Sequence, residues 1–385
     1  MNVSYIKSPN IVIWRLLVLI LLSPLSLQSI AADSTKFRAL NVGLLDQIVI
    51  PAYRHLSQSA VALNQQAIES CEQPTDASFN QLRDRFTTYV DSWMAIELFR
   101  NGPVEYLFRQ NRIQYWPDKH SVVGRQLRQL LADQNVADLD HSAFIQLSVG
   151  VQGITALELL LYGKKATELF TAATKTGQFR CTFIRAISFN QQSMLQSITD
   201  EWQRQGDGYR NLLLDDNNYW QTPRDIGIDI LRLLYGEILV IKTLKLGRPL
   251  DGSIDKAKPR RAELWRSGLS QSNIRRNLQA VAKYFGPALH VHNFYNLENS
   301  SGKRTETNQP IENQSIAEKI DQLIAQSQQQ LATLSLPINE AVSDEVNRQI
   351  LLSVVDSLGQ VAKQIEHYTT VVYQSQLGFN SFDGD

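Results

Sequence analysis

Histidine, cysteine and net charge are all scarce in this chain, and each shortage removes a class of function. Among 385 residues there are six histidines and two cysteines, and 38 basic residues balance 38 acidic ones. Formal neutrality gives no basic face for nucleic acid. The histidines, at 55, 120, 141, 290, 292 and 367, are scattered. No His-Glu-x-x-His metalloprotease motif, Glu-x-x-His di-iron pair, nucleophile elbow or phosphate-binding glycine loop occurs. His290 and His292, two apart, diverge if helical and fall short of a usual ligand set. Strand-like alternation is also sparse, which leaves helical periodicity as the dominant signal.

One long apolar run is present, at the N-terminus. Lys7 and Arg15 precede and enter it, Leu16 to Leu22 form its core, and Ser29-Ile30-Ala31 offers a small-residue cleavage site. Residues 1–32 therefore read as a secretory signal cut after Ala31 or Ala32. Pro24 and the polar residues after it argue against an uncleaved anchor. No cysteine near the site supports lipid attachment, and no second transmembrane run follows, so the expected location is the periplasm. In an exported chain, Cys71 and Cys181 are expected to pair. Two free buried thiols are the alternative.

The remaining chain is long enough for two domains. Apolar stripes at three- and four-residue spacing, such as Val42, Leu45, Ile48, Val49, Tyr53 and Leu56, predict helices, with Pro51 bending or interrupting the first. Further helices are expected over 79–99, 122–132, 179–205, 225–246, 263–285, 316–334 and 343–373. Another is expected from a cap at Asp140-His141-Ser142 through to Tyr162, stopped by Gly163. The expected class is all-α, built from two helical bundles over 33–205 and 206–385 in a duplicated four-helix-bundle arrangement. Residues 247–261 are expected to form an ordered loop or an interdomain crossing, the polar stretch 299–309 to be mobile, and the C-terminal tail to dock on the body.

The candidate chemistry lies in three blocks. Residues 148–163 carry Gly153, Thr155 and Glu158 in an apolar helical run. Residues 93–103 carry Trp93, Glu97, Arg100 and a Gly102-Pro103 stop, followed by Tyr115-Trp116-Pro117. Residues 258–268 carry Arg260, Arg261, Trp265 and Arg266. A buried carboxylate such as Glu158 must be paired, hydrogen-bonded or protonated. An arginine from elsewhere is its expected partner, with metal ligation the alternative. Glu97 and Arg100, three apart, can meet on one helix face.

These blocks, with the Leu377-Gly378-Phe379-Asn380 tail, resemble the imelysin family of bacterial envelope proteins, also classed as M75 peptidases. The family pattern is Gly-x-His-x-x-Glu, and here Thr155 stands at the histidine position. The resemblance implies a cleft between two bundles that brings Glu158, Thr155, Gly153 and Glu97 together with Arg100, Arg260, Arg261 and Arg266. It also implies a link to iron uptake, with an iron species, an anion or chelate, or an envelope transport protein as the partner. An M75-type metallopeptidase and a docking module that has lost the ancestral metal site are the other readings. Glu158 is the one metal candidate, and Thr155, a neutral hydroxyl, is a poor replacement for imidazole.

Overall fold

Helix starts in this chain are written in its capping residues. Thr75 and Ser78 form a reciprocal capping box, each side-chain oxygen accepting from the other residue's backbone N–H. Thr222 and Asp225 repeat the device, with Pro223 in the first turn. Thr174 accepts from the Gly177 N–H and Asp344 from the Asn347 N–H. The computed structural model describes residues 23–204, 207–214, 222–285 and 316–377. The main helices are α1 (Ser23–Leu44), α2 (Ile50–Glu72), α3 (Asp76–Met94), α4 (Val122–Asp133), α5 (Ile154–Tyr162), α6 (Lys175–Gln203), α7 (Pro223–Leu239), α8 (Ser270–Phe285), α9 (Ile316–Ala332) and α10 (Glu345–Tyr373). No strand occurs among the described residues, in agreement with the all-α expectation.

Helices α2, α3 and α6 pack side by side, as do α7, α8, α9 and α10, and α8 also meets α3. Helix α1 lies on α7, where Asn41 Nδ2 donates to the Pro223 carbonyl at 2.7 Å and the Phe37 ring meets Tyr373 of α10. The start of the expected first bundle thus packs on elements of the second. The buried apolar side chains form one continuous cluster running through both sets. Cys71 of α2 and Cys181 of α6 are joined by a disulfide. Closing a loop across 110 positions is worth roughly 4–5 kcal/mol on the chain-entropy account.

Several boundaries differ from the sequence reading, each for a local reason. Pro51 does not break the first helix. The chain widens into a π-helical turn over Leu45–Val49 and continues as α2, which accommodates the ring and the missing N–H. The stretch expected as one helix from 141 to 162 is three pieces, His141–Phe144, Val149–Val151 and α5. The helix expected from Glu263 begins only at Ser270, because residues 263–269 form turns with positive φ at Leu264 (45°) and Gly268 (73°). Helix α7 ends at Leu239 and gives way to a second π-helical segment, Val240–Gly247. Among the described residues, no helix is long and apolar enough to cross a membrane. The apolar core of the leader, His290 and His292, the polar stretch 299–309 and the tail beyond Leu377 lie outside the described residues.

Candidate functional site

Gly153 caps the start of α5, and its lack of a side chain is structural. A Cβ there would lie 2.2 Å from the Ile113 carbonyl oxygen and 2.3 Å from that of Arg112. The segment 112–115 therefore runs directly across the signature. Gln191 of α6 secures the crossing, its Nε2 donating to the carbonyls of Arg112 (2.8 Å) and Gln152 (2.6 Å). Two residues on, the Thr155 hydroxyl donates to the Tyr115 carbonyl at 3.1 Å. At the histidine position of the pattern, then, this chain has a clip between α5 and the 113–117 segment.

Glu158 is 2% exposed. Its Oε1 accepts from the backbone N–H of Arg266, the backbone N–H of Ser267 and the Ser267 hydroxyl, each at 3.0 Å. Its Oε2 lies 3.8 Å from Arg266 Nη1. Burial raises its pKa, against the opposing pull of the Ser267 hydrogen bonds and the Arg266 charge. The carboxylate shapes the turn before α8, and the residues 263–269 that fail to be helical wrap around it. Arg266 also lies over the Trp265 ring at 4.4 Å, with Arg260 at 5.9 Å from the same ring. Arg260, Arg261 and Arg266 are exposed. Of the three, Arg266 is the one shown meeting Glu158, and the cation beside Glu97 comes from elsewhere.

That cation is Lys245, in the second π-helical segment, and the sequence reading missed it. Its ammonium contacts Glu97 Oε1, lies 3.1 Å from Glu263 Oε2 and donates to Asn277 Oδ1 at 2.8 Å. Neutral amides complete the shell. Gln114 Nε2 donates to Glu263 Oε1 (2.9 Å), Asn273 Nδ2 to Glu263 Oε2 (3.1 Å), and Trp93 Nε1 to Gln114 Oε1 (2.7 Å). The ammonium also sits 5.8 Å from the centre of the Trp116 ring. Nearby carboxylates hold the Lys245 pKa above its ordinary value in spite of burial.

Arg100 points away from the expected i,i+3 pairing. Its Nε donates to the Glu97 backbone carbonyl at 3.2 Å, and its Nη2 reaches within 3.7 Å of Glu237 Oε2. Glu237, on α7, is buried, and among the described residues neither carboxylate oxygen receives a hydrogen bond from a donor group. Burial first, and Glu97 second, push its pKa up to about 8. Beside this cluster opens a cavity of about 320 Å³. Its walls carry the indoles of Trp93 and Trp116, the amides of Gln110, Asn111 and Gln114, the cations Arg100 and Lys245, and the carboxylates of Glu97 and Glu263.

The signature does not fit a metal ion. Three donors already occupy Glu158 Oε1, and the Thr155 hydroxyl is turned to a carbonyl. In the second cluster the carboxylates Glu97 and Glu263 close around Lys245. Among the described residues, no group of three or more His, Cys, Asp or Glu is placed to hold a metal.

Comparison with known proteins places this geometry in context. The family model Peptidase M75, described as Imelysin, matches residues 49–365. "Iron-regulated protein A" of Synechococcus elongatus is 23% identical over 345 residues, covering 86% of this chain and 85% of that protein. The crystal structure of an imelysin-like protein from Psychrobacter arcticum 273-4 superposes with a TM-score of 0.69 at 19% identity, covering 90% of this chain and 98% of that one. A putative iron-regulated protein A precursor from Parabacteroides distasonis gives a TM-score of 0.65 at 12% identity, covering 87% and 95%.

Proposed function

The chain belongs to the imelysin family, and from that premise we propose that it is an envelope binding protein of iron acquisition that takes iron as a small anionic chelate. The observation that carries this reading is the division of labour between two buried carboxylate sites. Glu158 is committed to the 266–267 turn. The cavity beside Lys245 is instead lined by two indoles, a guanidinium and three amides, and its wall carboxylates, Glu97 and Glu263, are held by the Lys245 ammonium. Its volume of about 320 Å³ lies at the lower end of small-molecule pockets. Arginine suits a carboxylate and the amides suit hydroxyl or carboxylate oxygens, so a ferric hydroxycarboxylate complex matches the walls better than a bare ion.

The relative named as iron-regulated supports the link to iron. The basic, apolar and small-residue leader pattern and the Cys71–Cys181 disulfide support export to an oxidising compartment. Calorimetric titration with ferric citrate, citrate, ferrous iron and zinc tests the reading, with the part of any tryptophan quenching that is lost in Trp116→Phe as a local report. Saturable binding of ferric citrate supports it. Saturable zinc binding together with peptide hydrolysis would instead favour the metallopeptidase.

A further inference from the structure

Glu237 has no role in the packing described so far that needs an acid. It is buried on α7 with Ile230, Leu234 and Ile238, and among the described residues both oxygens lack a hydrogen-bond donor. As a carboxylic acid it can donate to Glu97; as a carboxylate it gains no such bond. The charged groups facing it are Glu97 from the turn after α3, Arg100 at 3.7 Å, and Lys245 from the 240–247 segment. Glu263 faces the same Lys245 from the far side. With Glu237 neutral, the formal charges of Glu97 and Glu263 are balanced by Lys245 and Arg100. Ionising it leaves one buried negative charge in excess, next to a guanidinium that lines the cavity.

Resting on the cavity as the ligand site, we propose that Glu237 is a proton site coupled to it: protonated Glu237 permits an anionic ligand at Arg100, and loss of that proton expels the ligand. The charge of ionised Glu237 opposes the ligand directly and offsets Arg100. By reciprocity, a bound anion makes Glu237 hold its proton more tightly, so binding takes up protons. The chain therefore binds anion and proton together and releases both as the medium turns alkaline.

The test measures ferric citrate affinity from about pH 7 to about pH 9.5 in the wild type and in Glu237→Gln, with one linked proton expected to cost on the order of tenfold above about pH 8. Glutamine mimics the neutral acid, so the variant is expected to hold its neutral-pH affinity throughout. A second readout needs no variant. Calorimetry near pH 8 in buffers of different ionisation enthalpy is expected to show proton uptake by the wild type on binding. Parallel loss of affinity in both proteins, or no proton uptake by the wild type, overturns the coupling and leaves the cavity's role intact. Failure of the wild type to bind ferric citrate at any pH overturns both.

Discussion

Replacing Glu158 with alanine removes the acceptor of three hydrogen bonds and the counter-charge of Arg266. The two backbone N–H groups at 266 and 267 lose their partner, and refolding the turn would break the entry to α8. Hydrogen bonds to a charged group are each worth about 1.5–3 kcal/mol and are not additive within one cluster, so a loss of roughly 4 kcal/mol is expected. With a urea m-value of about 3 kcal/mol/M, the unfolding midpoint falls by more than about 1 M. Glu158→Gln keeps an acceptor at the same atom. Burial already disfavours the charge, so that variant is expected to lie within about 1 kcal/mol of the wild type. Urea denaturation of the three proteins, with and without a strong chelator, decides the matter. Equal destabilisation by alanine and glutamine would refute the turn-shaping role. Loss of wild-type stability to the chelator, matched to the alanine effect, would return Glu158 to metal ligation.

Three further outcomes follow from the same geometry. The folded-state pKa of Glu237, about 8, lies above an unfolded value of about 4.3, so its stabilising influence is complete below the lower value and is lost as pH rises through the higher, a change of a few kcal/mol; denaturation of Glu237→Gln across pH is expected to lack that decline. Lys245→Met leaves Glu97 and Glu263 buried without their cation, which is expected to cost about 3–5 kcal/mol near neutral pH and less in mild acid, as read from unfolding midpoints. Gly153→Ala drives a methyl into two carbonyl oxygens and is expected to cost about 3 kcal/mol or more in thermal unfolding; a change below about 0.5 kcal/mol would contradict the crossing of 112–115 over α5.

The helical class was legible because the buried stripes follow helical spacing, as in Tyr53, Leu56, Ala60, Leu63 and Ala67 of α2. Glu158 was legible as a carboxylate stranded in leucines. Its partners were not: two of the three donors are backbone groups of a turn that local pattern assigned to a helix, and no side-chain spacing announces that Leu264 adopts a positive φ. Lys245 and Glu237 carried a weaker form of the signal that exposed Glu158. Each is a charge inside the apolar run Ile-Leu-Val-Ile-Lys-Thr-Leu-Lys-Leu or just before it. An ordinary helix was read there, whereas the chain widens into a π-helical segment over Val240–Gly247. Contacts between distant segments, such as Lys245 with Glu97 or α1 with α7, depend on topology that periodicity does not encode.

Ferric citrate titration of the wild type, Glu158→Gln and Asn111→Leu separates the cavity from the signature as the place where the ligand binds. Saturable binding is expected from the wild type, retained in Glu158→Gln, where the altered side chain faces the turn, and weakened at least about tenfold in Asn111→Leu, where the lost amide lines the cavity. Binding that survives in Asn111→Leu and disappears in Glu158→Gln would contradict the cavity assignment and place the ligand at the signature.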